Sequence, residues 1–339
     1  MKVSIIIVNY NTFALTCQCV QSVYNQNYEF NFEIIIVDNA SVECDSLLFK
    51  NKFPDIKLII SAENGGFARG NNQGIYVATG EYILLLNSDT IMHERCLEYC
   101  IQNMDLSSAK NTAIMGCKLQ YGDGRLQISS YPFKIGLKES LLDNPFFYAI
   151  ARFFNTARHR DNSYIKGLHL VRHKTCAVMG AFMFCRSKAI SKVGVLDSDF
   201  FMYYEELDWC YRFIKFGYDI EYVPAVAITH LHGSSSSSKH LPSESGKPKI
   251  PSQTALSKML LLYKSNGRIG LVLYNIISLF NLITYIMIAP FRSVKWKENM
   301  KIYKNEYVIC KKFKNVMLKD YSRRVSSAAE PFKSSNYTA

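Results

Sequence analysis

Short aliphatic runs, each cut off by small or acidic polar residues, recur through the first part of this chain. Val3 to Val8, Ile34 to Val37, Leu58 to Ile60 and Ile83 to Leu86 are too short and too uniformly apolar for amphipathic surface elements. They predict strands buried on both faces, as in parallel sheets. Between them the spacing turns helical: a helix starting near Thr12 would put Leu15, Cys19, Val20 and Val23 on its inner side, and another would end at Thr79-Gly80. Later runs, Thr112–Gly116, Ala177–Phe184 and Glu221–Gly233, predict further strands. From Glu205 on, Leu207, Cys210, Tyr211 and Ile214 predict one buried helical face. Strands alternating with helices predict an α/β fold with a doubly wound sheet flanked by helices.

The polar groups that end the runs carry the candidate chemistry. Asn9-Tyr10-Asn11-Thr12, Asp38-Asn39-Ala40-Ser41 and Asn87-Ser88-Asp89-Thr90 follow successive strands. Ligands of open α/β sheets bind at the carboxyl ends of strands. A carboxylate at such an exit, Asp38 or Asp89, suits a divalent cation that holds a diphosphate. Turn formation alone would also select Asn, Ser and Asp. Between the second and third of these groups, Gly65, Gly66, Gly70 and Gly74 alternate with Asn64, Arg69, Asn71 and Asn72. Such a stretch lets backbone approach a ligand and opens a helix whose amides can face an anion; a glycine-rich turn with a helix cap explains it equally well. It is neither a Walker A loop nor a GxGxxG after the first strand, which speaks against simple nucleoside triphosphatases and Rossmann dehydrogenases.

Composition narrows the class. The 339 residues are 48% hydrophobic, 13% aromatic and 20% charged, which is globular. The net charge of +12 allows nucleic acid, anionic lipid or a phosphorylated substrate as partner. Lys and Arg crowd the region after Lys239 while the first hundred residues hold 6 Lys and Arg against 11 Asp and Glu, so the positive charge serves a separate C-terminal task. Ten cysteines without paired CxxC clusters, including Cys17 with Cys19 and Cys96 with Cys100, read as reduced thiols of a cytosolic protein. The apolar run after Lys2 stops at Asn9, too early for a signal-peptide core.

Taken in order, these motifs resemble the inverting family 2 glycosyltransferases of GT-A fold, and among them the rhamnosyltransferase-like bacterial enzymes. The resemblance runs from Val3-to-Asn11 through Val37–Ser41, Asn64–Gly74, Leu86–Asp89 and Met179–Met183 to His230 and Gly233. It implies a nucleotide-diphosphate sugar donor over the first half of the sheet, held by Asn9, Asn11, Asp38, Asn64, Gly66, Arg69, Asn72, Asn87, Ser88, Asp89 and Gly180. Asp38 would hold base or ribose. Asp89 would be the metal-binding acid, His230 would complete the site for Mg2+ or Mn2+, and His232 falls on a variable position. The first acid of the family's DxD-type motif is Asn87 here, which removes one negative charge from the metal site. Phe200 to Asp208 matches the family's Phe-Phe-x-Tyr-x-Glu-Asp-x-Asp pattern, whose base position is Glu206, with Glu in place of Asp. Glu205 and Asp208 stay as alternatives. The helix dipole at that first turn favours carboxylates and is expected to keep them ionised.

The resemblance gives a GT-A-type catalytic domain over 1–235, with a donor half to about 120 and an acceptor half after it. In the acceptor half, Phe146-Phe147-Tyr148 read as a helix packing its aromatic side on the domain, with Arg152, Arg158, His159 and Arg160 nearby. The serines and prolines of 236–252 read as a linker and 253–339 as a basic helical extension. Within it, Ala255–Tyr263 is helical and Ile269–Ala289 is the most apolar stretch, with Asn275, Ser278, Asn281 and Tyr285 on one side. Arg268, Arg292, Lys295 and Lys297 bracket it, which suits the cytoplasmic membrane surface. Packing on the catalytic domain, a homodimer and a true span are the alternatives. The expectation is a metal-dependent inverting glycosyltransferase that moves a sugar, with rhamnose the first candidate, to a lipid-linked glycan at the inner face of a bacterial membrane, with no nucleic-acid partner. A nucleotidyltransferase and a membrane-tethered sugar-binding scaffold are its rivals.

Overall fold

The computed structural model describes residues 2–93, 95–106, 109–154, 162–231 and 250–288, with 304 and 308. Arg158, His159, Arg160, His232, Gly233, most of the expected linker, and Arg292, Lys295 and Lys297 lie outside the described residues. The chain divides into two compact units: Met1–Lys134 with Phe154–Pro248, and Ile135–Phe153 with Lys249–Ala339.

The first unit holds the strands β1 (Val3–Asn9), β2 (Phe32–Asp38), β3 (Lys57–Ile60), β4 (Tyr82–Asn87), β5 (Thr90–Met92), β6 (Thr112–Gln120), β7 (Leu126–Gln127), β8 (Ser130–Tyr131), β9 (His173–Lys174), β10 (Ala177–Val178), β11 (Phe182–Arg186) and β12 (Asp219–His230). Its helices are α1 (Phe13–Tyr24), α2 (Leu48–Lys52), α3 (Gly66–Val77) and α4 (Cys96–Asp105), then, past the second unit's α5 (Leu137–Leu142) and α6 (Pro145–Phe153), α7 (Asn162–Leu168), α8 (Ser187–Val193) and α9 (Glu205–Lys215). The main sheet runs β3-β2-β1-β4-β11-β6-β12-β5. The first four strands are parallel, β11 is antiparallel to both β4 and β6, and β12 is parallel to β6. This is the expected mixed α/β sheet flanked by helices.

The alternation along β1 shows how the sheet is covered. Ile5 and Ile7 join the apolar cluster that includes Val20, Val23, Leu97, Cys100 and Met104 of α1 and α4. Ile6 and Val8 point the other way, onto α3. A Cβ at Gly74 would lie 2.4 Å from Ile6 Cγ2, and one at Gly70 would lie 2.8 Å from Val8 Cγ1. These two glycines therefore set the closeness of helix and sheet. As expected, Cys96 and Cys100 are both buried on one side of α4, and no disulfide joins the nine cysteines described.

Three expectations are corrected. The run Ala177–Phe184 is two strands, because Phe182 N donates to Met179 O (3.3 Å) and turns the chain between them. On α9, Trp209 and Phe213 are buried beside Leu207 and Cys210, whereas Ile214 is exposed and Tyr211 only partly covered. Larger rings won the core side because Trp209 Nε1 finds an acceptor in Gly194 O (2.8 Å). In the second unit, α6 has no buried residue, so its aromatics do not form a packed side; of them, Phe147 lies 5.6 Å from Phe280. The second unit also contains α10 (Ile250–Ile288), broken at Gly267, where φ is +64°.

Gly74→Ala should destabilise the first unit by about 1–3 kcal/mol, since the new methyl meets the stiff, β-branched Ile6. Chemical denaturation reads this directly, and Gly74→Ala combined with Ile6→Val should recover part of the loss.

Candidate active site

A cavity of about 320 Å³ opens where β1, β4 and β12 end. Its wall on one side is Asn87, Ser88 and His230; on the other it is Met202, Tyr203, Glu205 and Glu206. Gly180 and Ala181, in the turn between β10 and β11, lie on it as well.

Strand pairing assembles the first wall. Thr90 of β5 pairs with His230 of β12, and Leu231 N donates to Asp89 O (2.9 Å). His230 Nε2 then lies 3.3 Å from Asp89 Oδ1 and 3.3 Å from Asn87 Nδ2. On the other ring edge, His230 Nδ1 lies 3.0 Å from Gln127 Oε1. The amide oxygen can only accept, so Nδ1 carries the proton and Nε2 presents its lone pair toward Asn87 and Asp89. Asn87 Oδ1 is buried with no hydrogen-bond partner among the described residues. An imidazole nitrogen, a carboxylate and an orphaned amide oxygen together form a donor set that fits Mg2+ or Mn2+. Among the described residues no cluster of three His, Cys, Asp or Glu side chains would hold a metal by itself, so diphosphate oxygens would have to supply the remaining ligands.

The second wall is electrostatically unusual. Glu205 and Glu206 open α9, yet their pKa values rise, against the expectation that the dipole keeps them ionised. Burial raises both: Glu206 to about 7, and Glu205 well above the carboxylate range, with the Glu206 charge adding to it. Desolvation outweighs the dipole because protein packs around both carboxyl groups at the base of the cavity. Glu205 Oε2 and Glu206 Oε2 are buried without hydrogen-bond partners among the described residues. Asp208 differs: Arg212 Nε donates to its Oδ2 (2.9 Å), and Arg212 NH2 donates to Val195 O (2.8 Å). It anchors the helix to the preceding loop and does not line the cavity.

The glycine-rich stretch is spent on scaffolding, contrary to its reading as an anion cradle. Gly65 N donates to Asn39 Oδ1 (3.1 Å), Gly66 N to Asn64 Oδ1 (3.0 Å) and Phe67 N to Phe201 O (2.8 Å). Gly66 has φ +82°, and a Cβ there would fall 2.1 Å from Phe201 O. The start of α3 is thus pressed against the segment that leads into the two acids. In that segment Tyr203 and Tyr204 both have φ +69°, a costly conformation for aromatic residues.

Of the residues expected from sequence, Asn64, Gly66, Asn87, Ser88, Gly180, Glu205, Glu206 and His230 line the cavity, and Asp89 backs it. Asn9, Asn11, Asp38, Arg69 and Asn72 do not line it. Asp38 receives Asn9 Nδ2 (2.7 Å), Ser46 Oγ (2.7 Å) and Ser41 N (3.2 Å). Asn11 Oδ1 accepts from Val42 N, Asn72 clamps the backbone of Leu196 from both sides, and Arg69 pairs with Glu63. Gln127, Tyr131 and Tyr203 were not named as site residues; Gln127 and Tyr131 come from irregular segments without periodicity, whereas Tyr203 is the tyrosine of the matched acidic motif.

Residues 4–158 match Glycosyl transferase family 2, and residues 82–241 match Glycosyl transferase family group 2. Every residue of the cavity falls inside these spans. Together the two matches run from residue 4 to residue 241, so this part of the chain is similar to family 2 glycosyltransferases. It is 32% identical over 112 residues to the glycosyltransferase GlyG of Streptococcus pneumoniae, covering 32% of this chain and 36% of that protein. It is 34% identical over 102 residues to a poly(ribitol-phosphate) beta-glucosyltransferase of Bacillus spizizenii, covering 29% of this chain and 16% of the relative. The chain thus spans well under two thirds of these relatives. In fold, the glycosyltransferase domain is similar to GalNAc-T7 solved with UDP, GalNAc and Mn2+ (TM-score 0.55, 14% identity, 96% of this chain and 58% of that one). It is also similar to the mannosyltransferase PcManGT of Pyrobaculum calidifontis solved with GDP-Man and Mn2+ (TM-score 0.53, 14% identity, 95% and 88%).

Glu205→Gln should stabilise the domain at neutral and higher pH. Folded Glu205 keeps its proton where the unfolded carboxylate has lost it, so its contribution to stability falls as pH rises above the ordinary carboxylate range. The melting-temperature gain of the variant should be larger at about pH 8 than at about pH 5, as thermal denaturation at the two pH values would show.

Proposed function

We propose that the protein is an inverting glycosyltransferase that moves a hexose from a nucleotide-diphosphate donor to a hydroxyl of a lipid-linked glycan. Rhamnose is the first donor sugar to test. The setting is the cytoplasmic face of a bacterial membrane during synthesis of a surface polymer, in keeping with the poly(ribitol-phosphate) named for one relative. The observation that carries the reading is that Glu206, with its raised pKa, lines the same cavity as Asn87 and His230, with Asp89 3.3 Å behind His230.

The chemistry follows from these groups. The acceptor hydroxyl oxygen forms a bond to the anomeric carbon, the bond from that carbon to the diphosphate breaks, and the hydroxyl proton passes to a carboxylate oxygen of Glu206. A base with a pKa near 7 is ionised in about half the molecules at neutral pH and still accepts a proton well. Glu205, protonated beside it, spares Glu206 a second like charge. Asp89 and His230, with Asn87, would hold Mg2+ or Mn2+, which when bound neutralises charge on the departing diphosphate. Gly180 lines the cavity beside the base: a Cβ there would meet the Phe67 ring at 3.4 Å and Glu206 Cβ at 3.8 Å, so the missing side chain leaves this wall low next to Glu206.

Glu206→Gln should lower kcat by about 10²–10⁴-fold with donor affinity nearly unchanged. In the parent enzyme kcat/KM should climb with pH to a plateau above about 7, and in the variant that limb should vanish. Asp89→Ala should weaken binding of the nucleotide diphosphate in the presence of Mn2+, with the far-UV spectrum retained. A panel of nucleotide sugars assayed for hydrolysis and transfer checks all three. A Glu206→Gln variant as fast as the parent would sink the base assignment, and ligand binding without turnover in the parent would favour a sugar-binding scaffold.

A further inference from the structure

The second unit contains a helix whose amphipathicity is inverted. After the break at Gly267, α10 turns Tyr274, Ser278, Asn281 and Tyr285 inward, where all are buried. Asn281 Nδ2 donates to Ser140 O (3.0 Å), Tyr285 OH to Asp143 O (3.1 Å), and Asn144 Nδ2 to Thr284 Oγ1 (3.0 Å). The opposite face is apolar and open. Ile269, Val272, Ile276, Phe280, Ile283 and Met287 are between 44% and 74% exposed. Their spacing keeps them in one continuous stripe along the helix. The sequence put Asn275, Ser278, Asn281 and Tyr285 on one side without saying what that side meets; in the structure Ser278, Asn281 and Tyr285 turn inward, because α5 and the turn after it offer backbone carbonyls as partners.

The stripe continues onto α6. Phe146, Ile150 and Phe153 are exposed at i, i+4 and i+7 of that helix, and the Phe147 ring reaches Phe280. An apolar patch of this extent on two adjoining helices is not the surface of a soluble monomer. Charge decides what covers it. Residues 269–291 contain no Asp, Glu, Lys or Arg, while residues 239–339 hold 18 Lys and Arg against 5 Asp and Glu. A second copy of this chain would bring the same positive surplus, whereas an anionic bilayer supplies the opposite charge.

We infer that α6 and the second half of α10 form one membrane-docking surface, lying in the plane of an anionic bilayer with the apolar stripe in its interfacial layer. By length and composition the helical segment Gln253–Met287 is able to cross a bilayer. Its inward face, however, is bonded to α5 and its following turn, and α5 and α6, at 6 and 9 residues, are too short to cross beside it. One-sided immersion satisfies both faces. This inference deepens the proposed function, on which it rests for the lipid-linked acceptor, by naming the lipid surface and the two segments that meet it.

The test uses the full chain with vesicles of phosphatidylglycerol or of phosphatidylcholine, read by co-sedimentation without any substrate. The parent should bind phosphatidylglycerol vesicles more tightly than phosphatidylcholine ones. The pair Ile276→Asp with Ile283→Asp, and separately Ile150→Asp with Phe153→Asp, should each lower partitioning by about tenfold or more, with nucleotide-sugar hydrolysis in solution unchanged. An Ile276→Trp variant should be quenched most by lipids brominated near the headgroup. Parent-like binding by either aspartate pair overturns the surface, as does maximal quenching by bromines at the bilayer centre, which would mean a span. A lipid-free dimer that both pairs convert to monomer would assign the face to a second copy. Because binding is read apart from catalysis, an inactive parent that still docks would sink the transfer reading and leave the surface intact.

Discussion

Thr90 and His230 stand opposite each other across β5 and β12, and the site depends on that pair. The chain leaves β4 at Asn87, turns through Ser88 and Asp89, and re-enters the sheet as β5 beside a strand that pairs elsewhere with β6. Without this pairing His230 would end a strand far from either residue. The long β12 serves both partners through its two edges, Ile228 and Thr229 pairing with β5 on one side and β6 on the other, beyond a register shift against β6 between Val223 and Ala227. Gln127 then fixes the ring's tautomer from the short β7, itself paired to β6. A single antiparallel contact thus brings a carboxylate, an amide and an imidazole together at the mouth of the parallel sheet.

Opposite this wall, the structure accepts unfavourable local energies. Two carboxylates are buried side by side, two successive tyrosines hold left-handed backbone, and three amides at the start of α3 are committed to internal acceptors. Such features persist only where surroundings over-determine them. Here the restraint comes from Phe67 N on Phe201 O, from the side chain of Asn72 on Leu196, and from Arg212 on Asp208 and Val195. The stability lost in the loop is offset by a sheet whose central strands are buried along nearly their whole length. The same restraint keeps the Glu206 carboxylate aimed into the cavity with a pKa suited to taking a proton.

The two units follow opposite rules of polarity. In the first, apolar residues of strands and helices face each other, and the polar groups gather where strands end. In the second, hydrogen-bonding side chains of α10 face inward onto α5 and the turn after it while the apolar side stays open. Burying a polar face is tolerable when each group finds a partner, and it frees the apolar face for a non-aqueous neighbour. That a segment from the middle of the chain belongs to the second unit explains why residues 135–153 carry no strand pattern.

The sequence by itself determined the mixed α/β architecture, the ends of β1, β2 and β4 as the polar edge, and the acidic opening of α9, because short buried strands and helix starts leave local signatures. Position at the end or beginning of an element drew attention to Asn87, Asp89, Glu206 and His230, and the resemblance to family 2 glycosyltransferases singled them out. The sequence could not assign roles to Asn9, Asp38 and Asn72, whose polar groups look like ligand-binding groups until the partners that consume them are seen. Nor could it show that Gly70 and Gly74 serve packing on Val8 and Ile6. The protonation of Glu205 and Glu206 was read with the wrong sign, because a helix dipole is local whereas desolvation depends on what the rest of the chain places around the group. The orientation of α10 stayed open for the same reason: periodicity gives two faces, and only the tertiary structure decides which of them meets the protein.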